Sequence, residues 1–548
     1  MEERMLLLTN GKIITMNKKQ EIVQAVIVDG ETFVYVGDLA GAEQYLKENK
    51  ITTFETRDLG GRFVIPGFND SHMHFIHYVK AKNSVNLFGT GSMAELKDRM
   101  RHALMNRPPR GNSFLMGEGW NQEFFSDEKR FPTRYDLDEV SKEYPIIIMR
   151  SCFHVGAVNS KAMEILGINA ESAKQYGDFV ELDHNGEPNG VIKENYLDDI
   201  KASLPSAALP ELLEDVLQSQ NDLFALGITS IHSDDFKYAP ENEPYKMMKE
   251  LVALSESGAL KLRISEQALL TEQETLDAFF ECSPCLPAAR DCRITTVKIL
   301  ADGSLGARTA YMLAPYADAP DTVGLAIYDQ NYLDSLVMTA HKNHMPVAIH
   351  TIGDGAAEMA LTAIEKAHKA VPGTNLRHGL VHCQKMNAQQ LERMRFLGIQ
   401  AYTQPVFINS DMHIADARLG KERVKDSYMW NSMHKLGIAQ SFGTDAPVEG
   451  LNPLAGIFCA VTRTDFNGHG PFLPEQALDV YDALYAYTAA GAYASGDEDI
   501  KGQIAPGMLA DFLVMDRDLL NCPKEEILNA KVLCTYLGGT CVFGALPH

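Results

Sequence analysis

The chain has 548 residues, of which 45% are hydrophobic and 22% charged, a composition typical of globular rather than disordered or fibrous proteins. Its 73 acidic and 50 basic residues give a net charge of -23, and no basic run suggests a nucleic-acid groove. The first apolar run is too short for a signal peptide, and none approaches the ~18 residues of a membrane-spanning helix. Nine scattered cysteines favour a reducing compartment. We therefore expect a cytoplasmic protein without nucleic-acid or membrane partners.

Both ends of the chain have the pattern of short strands. Four segments share runs of Leu, Ile, Val and Phe broken by turn residues: 5–14, 22–36, 504–516 and 530–543. This predicts one β-sandwich domain from residues 1–65 and 496–548, the alternative being two unrelated β extensions. Residues 510–514 would then lie in a sheet that packs with the first 60 or so residues.

Between these ends, helix and strand patterns alternate. Apolar residues at helical spacing occupy 209–224 and stop at Gly227, and later helices begin near Asp354 and Asn387 as caps. Short strand patterns occur between the helices: 228–231, 347–350, 379–382, 399–402 and 440–443. About eight such βα units predict an α/β protein with a TIM barrel over residues 66–495. An open doubly wound sheet would show a Gly-rich phosphate loop, and the sequence has none.

Residues from about 76 to 205 do not follow the βα spacing. We interpret them as a large insertion after the first barrel strand, with a turn-rich stretch at 185–190. Trp120 and His154 lie in this insertion and are candidate substrate-binding residues, although either could equally be structural. Cys282 and Cys285 could belong to a small zinc site, but the sequence offers no obvious fourth ligand. We therefore expect a reduced surface loop there.

Polar residues recur where barrel strands end. His72 and His74 follow an apolar strand, and residues i and i+2 of an extended chain face the same side, so both imidazoles could bind one metal. Lys298 lies inside the apolar segment 295–300, where a buried ammonium is costly. It is either ion-paired, or it has reacted with carbon dioxide to form a metal-bridging carbamate. Further candidates at strand ends are His350, His382 and Asp445.

Each of these residues alone has a structural explanation, as a core histidine or a turn aspartate. Together they indicate a metal centre, because TIM-barrel active sites lie at the C-terminal ends of the strands. Four imidazoles and two oxygen donors suit one or two divalent ions, with zinc the first choice. His232 also ends a predicted strand, and Asp302 follows Lys298 in a Gly-rich loop, so both are candidate substrate-binding residues.

The order His-x-His, Lys, His, His, Asp resembles that of the amidohydrolase superfamily. Flanking segments resemble its branch of YtcJ-like proteins and N-substituted formamide deformylase: 64–74, 117–120, 154–160, 298–306, 350–354, 443–447 and 507–512. The resemblance covers essentially the whole chain. It implies that His72, His74 and Asp445 bind the more buried metal and that His350 and His382 bind the second. The carboxylated lysine would bridge the two ions.

This resemblance and the residue chemistry predict a metal-dependent hydrolase that cleaves a non-peptide C–N bond of a small-molecule amide. A metal-activated water would attack, and Asp445 would act as general base and then acid. A deaminase of the same superfamily is an alternative, but it would usually carry a His-Ala-Gly-Glu type motif where this chain has residues 350–353 as His-Thr-Ile-Gly. A non-catalytic regulatory barrel is a third interpretation, and a homodimer is left open.

Overall fold

A computed structural model describes residues 5–17, 19–111, 113–151, 154–204, 208–282 and 288–546. Cys285, one of the two cysteines of the expected surface loop, lies outside the described residues. The chain forms two compact units, one up to Ile76 and from Val216 onward, the other His77–Asp215. Within the described ranges, no helix is both long and apolar enough to cross a membrane.

The first unit contains a sheet of eight parallel strands in chain order, each hydrogen-bonded to the next. They are Phe68–Met73, Ile228–Ser233, Arg263–Leu269, Cys292–Leu300, Val347–Thr351, Gly379–His382, Gln400–Thr403 and Gln440–Phe442. The sheet closes where the Asp445 N–H donates to the His72 carbonyl at 2.8 Å and the His74 N–H donates to the Ala446 carbonyl at 2.8 Å. The predicted TIM-barrel class is therefore confirmed.

Helices follow most barrel strands, as the 3.6-residue pattern predicts. The helices of this part are Pro244–Glu256, Gln273–Cys282, Gln330–Lys342, Asp354–Ala370, Ala388–Leu397, Ile408–Asp411, Ala415–Arg423, Trp430–Lys435, Pro453–Thr462, Val480–Ala486 and Ala489–Ser495. Asn387 caps its helix as expected, accepting from the Gln390 N–H. Asp354 was expected to cap a helix but does not: Gly353 is the N-cap, and Asp354 Oδ1 accepts the Leu313 N–H at 2.8 Å.

Strands from both chain ends form two further sheets. One has the order Thr32–Gly37, Ala25–Asp29, Leu6–Thr9 and Glu55–Asp58; the other has the order Thr540–Gly544, Val532–Leu537, Phe512–Met515, Phe63–Pro66, Lys12–Ile14 and Ile22–Val23. The two sheets share one apolar core. The ring centroids of Phe33 and Phe512 are 5.9 Å apart there, and the ring of Phe512 stacks on that of Tyr536 with the centroids 4.5 Å apart. The helix Leu39–Glu48 was not predicted, because we assigned only strands to the first 65 residues.

The second unit is built around a six-stranded sheet. Its strand order is Val180–Leu182, Pro188–Lys193, Val155–Val158, Ile146–Arg150, Leu115–Trp120 and Val85–Asn86. Its helices are Met93–Asn106, Arg134–Asp138, Ser160–Leu166, Ala170–Tyr176 and Glu194–Ser203, while Phe75–Lys82 and Leu209–Ala225 contain its boundaries. Ile146 and Ile148 pack in one apolar cluster, and Ile147 and Met149 pack in another. Both faces of the sheet are covered, which explains the continuous apolar run in that strand.

Candidate metal centre

Every barrel strand contributes a polar side chain at or near its C-terminal end. In strand order these are His72 with His74, Asp234, Gln267, Lys298, His350, His382, Gln404 and Asp445. The strands are hydrophobic where they pack, and their C-terminal ends meet at one rim, so residues far apart in sequence are brought together. All of these side chains are buried except that of His350, which is partly exposed.

Two imidazoles and one carboxylate converge at the junction of the first and eighth strands. Asp445 Oδ1 lies 3.1 Å from His74 Nε2 and 3.6 Å from His72 Nε2. One ligand atom from each of the three residues lies within 4.8 Å of the others. Lys298 continues the cluster, because its Nζ lies 3.2 Å from His72 Nε2 and 3.7 Å from Asp234 Oδ2.

The other two histidines adjoin this group. The ring centroids of His350 and His382 are 4.5 Å apart, and those of His72 and His382 are 5.5 Å apart. The fifth strand is paired with the fourth in a register that sets His350 beside Leu300, two residues beyond Lys298. All six predicted ligands therefore lie around one end of the barrel.

The hydrogen bonds of the four imidazoles leave the same nitrogen facing the centre. Each Nδ1 is bonded to a protein oxygen: His72 to Gln267 Oε1 at 3.2 Å, His74 to the Asp234 carbonyl at 3.1 Å, His350 to Asp302 Oδ1 at 2.8 Å and His382 to Gln404 Oε1 at 2.8 Å. Because these oxygens accept, Nδ1 carries a proton in each ring. The Nε2 of His72 then faces Lys298 Nζ, whereas the Nε2 of His74 lies against the Asp445 carboxylate. Metal-binding histidines are oriented in this way, so the donor set fits divalent metal ions.

The protonation of the cluster follows from burial and from its neighbours. Burial lowers the pKa of His72 and of His382 well below the usual value, which keeps both imidazoles neutral. Burial also lowers the pKa of Lys298. For Asp445, burial acts to raise the pKa, but the hydrogen bond from His74 and the nearby cationic groups outweigh it and lower the pKa. For His74, burial acts to lower the pKa, but the hydrogen bond to Asp445 and the charge of that carboxylate outweigh it and raise the pKa. Asp445 is therefore an ionised oxygen donor that is paired with His74 and lies beside the neutral imidazoles of His72 and His382.

Asp445 is held in place by the close approach of two strands. Asp70 Oδ1 accepts the Thr444 N–H at 3.0 Å, and Asp70 Oδ2 accepts the Thr444 hydroxyl at 2.5 Å. A Cβ at Gly443 would lie 2.5 Å from the backbone nitrogen of His72, so only glycine permits this approach. Asp445 itself has φ of +59°, a conformation that is uncommon for a residue other than glycine. The turn after the eighth strand is thus built to present this carboxylate.

The four candidate substrate-binding residues have different surroundings. Asp302 is buried, and both of its oxygens already accept hydrogen bonds within the protein. His232 is buried on the second strand, where burial lowers its pKa to about 3. Trp120 is fully buried in the core of the 77–215 unit, and His154 is exposed there with its Nδ1 3.2 Å from Glu194 Oε2. A substrate-binding role stays a prediction for each of them.

Sequence reasoning did not single out four residues that the site uses. Gln267, Gln404 and Asp234 supply the oxygens that orient three of the imidazoles, and Asp70 secures the turn before Asp445. The four share one signal, a polar residue within a barrel strand or just after its end. That signal cannot be used until the neighbouring strands are known, because each residue acts on a histidine of another strand or on the turn after one.

A comparison with known families identifies the class. The amidohydrolase family model matches residues 55–543, and the chain belongs to this family. YtcJ of Bacillus subtilis (strain 168), named as an amidohydrolase, is 32% identical over 539 residues, covering 97% of this chain and 98% of that protein. N-substituted formamide deformylase of Arthrobacter pascens is 28% identical over 562 residues, covering 98% of each. The structure of an uncharacterized metal-dependent hydrolase from Pyrococcus furiosus matches with a TM-score of 0.77 and 29% identity, covering 94% of this chain and all of that one.

Proposed function

We propose that the chain hydrolyses the C–N bond of a small non-peptide amide at a two-metal centre, with zinc as the resident ion. The ligands would be His72, His74, His350, His382, Asp445 and a carboxylated Lys298. One observation carries the proposal: four imidazoles lie at the barrel end that holds the buried Lys298, and each has its Nδ1 bonded to a protein oxygen, which orients Nε2 as the candidate ligand atom. A purely structural histidine cluster does not require that all four share one orientation.

The surroundings of Lys298 support its carboxylation. Its amine is buried and lies 3.2 Å from His72 Nε2 and 3.7 Å from Asp234 Oδ2. Burial lowers the pKa of Lys298, and the charges of Asp234 and Asp445 offset this only in part, so the ammonium form is disfavoured. Once the ammonium has lost one proton, addition of carbon dioxide to the neutral amine would release a second proton and form a carbamate, which replaces the positive charge with two oxygen donors.

Asp445 is the residue that we assign to proton transfer. Divalent metal ions, when bound, would polarise the substrate carbonyl and lower the pKa of a coordinated water to about 7. Asp445 would accept one proton from the attacking water and return it to the leaving nitrogen as the C–N bond breaks. The hydrogen bond from the Asp445 N–H to the His72 carbonyl holds the carboxylate at the ligand cluster throughout.

The substrate class comes from the relatives. One of them is named as a deformylase of N-substituted formamides, so we propose N-substituted formamides as the first substrates to test, followed by N-acyl and cyclic amides. A cytoplasmic location is also proposed. The seven cysteines within the described ranges are free thiols, as a reducing compartment would keep them. The homodimer and the absence of nucleic-acid and membrane partners stay predictions.

Two variants test the centre, with metal content measured beside turnover. Lys298→Ala should lose both metal and activity, and a small carboxylic acid should partly restore both. Asp445→Asn should lower turnover by about 100–10,000-fold, the contribution of a general base, or more if a metal is also lost. Lys501→Ala is the matched control, because Lys501 is also buried but is paired with Asp497 at 3.1 Å. It should keep its metal.

Two results would contradict the assignment. Full metal occupancy and turnover in Lys298→Ala would exclude the bridging role, and wild-type turnover in Asp445→Asn would exclude proton transfer by this residue. Labelled bicarbonate offers an independent check, since a carbamate carbon should give an NMR signal in the wild type that is absent from Lys298→Ala. A wild-type chain that carries metal but hydrolyses none of the three amide classes would favour the regulatory alternative.

A further inference from the structure

A second histidine–aspartate cluster lies in two loops outside the barrel strands. His413 follows the helix Ile408–Asp411, and Asp465 and His469 follow the helix Pro453–Thr462. Asp465 Oδ2 lies 3.0 Å from His413 Nε2 and 2.7 Å from His469 Nδ1. One ligand atom from each residue lies within 4.8 Å of the other two. The carboxylate is buried at 2% exposure, while His413 and His469 are 49% and 68% exposed.

Hydrogen bonds within the loop that carries Asp465 hold it in a tight turn. Asp465 Oδ1 accepts the N–H groups of Asn467 and His469 at 2.9 and 2.8 Å, and the Asp465 N–H donates to the His469 carbonyl at 3.1 Å. The Phe466 N–H donates to Asn409 Oδ1 at 3.0 Å, which joins this loop to the helix that precedes His413. One carboxylate oxygen is therefore used by the backbone, and the other is directed at both imidazoles.

We propose that His413, Asp465 and His469 form a second, solvent-facing binding site for a divalent transition-metal ion. Two imidazole nitrogens and one carboxylate oxygen suit zinc, nickel or copper better than magnesium or calcium, which take oxygen ligands. Metal–ligand bonds of about 2.0–2.2 Å place neighbouring ligand atoms about 3.3–3.6 Å apart in a tetrahedral site. The spacings from Asp465 Oδ2 to the two imidazole nitrogens are 3.0 and 2.7 Å, and the two nitrogens lie within 4.8 Å of each other, so rotation of the exposed rings would bring the three ligand atoms to that range.

A bound ion would join two loops at the rim of the barrel more strongly than the hydrogen bonds alone do. His413 lies beyond the seventh barrel strand, and Asp465 and His469 lie beyond the eighth. The exposed faces of both imidazoles leave room for water to complete the coordination shell. This site is separate from the proposed hydrolytic centre, since none of its residues is a ligand there and its occupancy does not depend on Lys298.

The second site can be probed with copper, which is added to the full-length protein after zinc has filled the barrel centre. The copper electron paramagnetic resonance spectrum of the wild type should show hyperfine coupling to two imidazole nitrogens. His413→Ala and His469→Ala should each lose the tightly bound equivalent of copper and, with it, the two-nitrogen spectrum. His434→Ala is the matched control, because His434 is 51% exposed and its Nε2 lies 3.3 Å from Asp482 Oδ2, outside the cluster. It should leave the spectrum and the metal count unchanged.

A second measurement separates this site from the barrel centre. Lys298→Ala should still take up one equivalent of copper with the two-nitrogen spectrum although its barrel centre is lost. The double variant Lys298→Ala/His413→Ala should not, which excludes copper bound to the vacant barrel histidines as its source. Circular dichroism checks that each variant is folded. The proposal would be overturned if the wild type bound no equivalent beyond those of the barrel, or if both histidine variants kept that additional equivalent. In either case the three residues form only a hydrogen-bonded triad.

Discussion

Asp302 should be required for tight metal binding although it is not one of the proposed metal ligands. Its Oδ1 accepts from His350 Nδ1 at 2.8 Å and from the Ile352 N–H at 3.1 Å. Its Oδ2 accepts the Gly353 N–H at 2.8 Å and the Tyr311 N–H at 3.1 Å. One buried carboxylate therefore satisfies four donors and fixes the imidazole ring of a proposed ligand.

The substitution Asp302→Asn keeps the shape but cannot satisfy all four donors. With the amide oxygen toward His350, the amide nitrogen meets the N–H groups of Gly353 and Tyr311. Two unpaired donors at about 1–3 kcal/mol each predict a loss of about 2–6 kcal/mol in the free energy of unfolding. With the amide reversed, His350 must move its proton to Nε2, which removes the lone pair that faces the centre. Loss of such a supporting partner typically weakens metal binding about 10–100-fold.

Urea unfolding of the metal-free chain, followed by circular dichroism, measures the first effect, and competition with a chelator measures the second. Asp329→Asn is a suitable control. Asp329 is an exposed N-cap that accepts the Tyr332 N–H at 2.9 Å, and asparagine caps a helix about as well as aspartate. If Asp302→Asn unfolded like this control and bound metal like the wild type, the argument from the four hydrogen bonds would be refuted.

Three further changes test the packing around the site and in the sandwich. Gly443→Ala should destabilise the chain by about 1–3 kcal/mol and reduce its metal content, because the new Cβ would lie 2.5 Å from the backbone nitrogen of His72. Unchanged thermal unfolding and unchanged metal content would contradict this. Phe512→Ala should cost about 3–5 kcal/mol by removing a buried ring stacked on Tyr536, and a loss below about 1 kcal/mol in urea unfolding would argue against that core. Asn387→Ala should cost about 1 kcal/mol through the lost helix cap, whereas Asn387→Asp should be nearly neutral in the same assay.

Local patterns in the sequence predicted much of the barrel. Strands and helices follow from side-chain periodicity, so the helix expected at 209–224 occurs as Leu209–Ala225 and the strand expected at 379–382 occurs with those bounds. The same reasoning missed the helix Leu39–Glu48. Asp38 accepts the Gly41 N–H at 2.7 Å and caps this helix, a signal that we did not use because we assigned only strands to the first 65 residues.

The sequence by itself determined which residue types could bind metal and that they occur at strand ends, because residue spacing along one strand or helix is a local property. Only the tertiary structure decided which of those ends adjoin. Gln404 orients His382 across 22 positions and Gln267 orients His72 across 195, and no periodicity connects such pairs. The cluster of His413 and Asp465 has the same origin, since these residues are 52 positions apart and meet only where two loops of the folded barrel pack together.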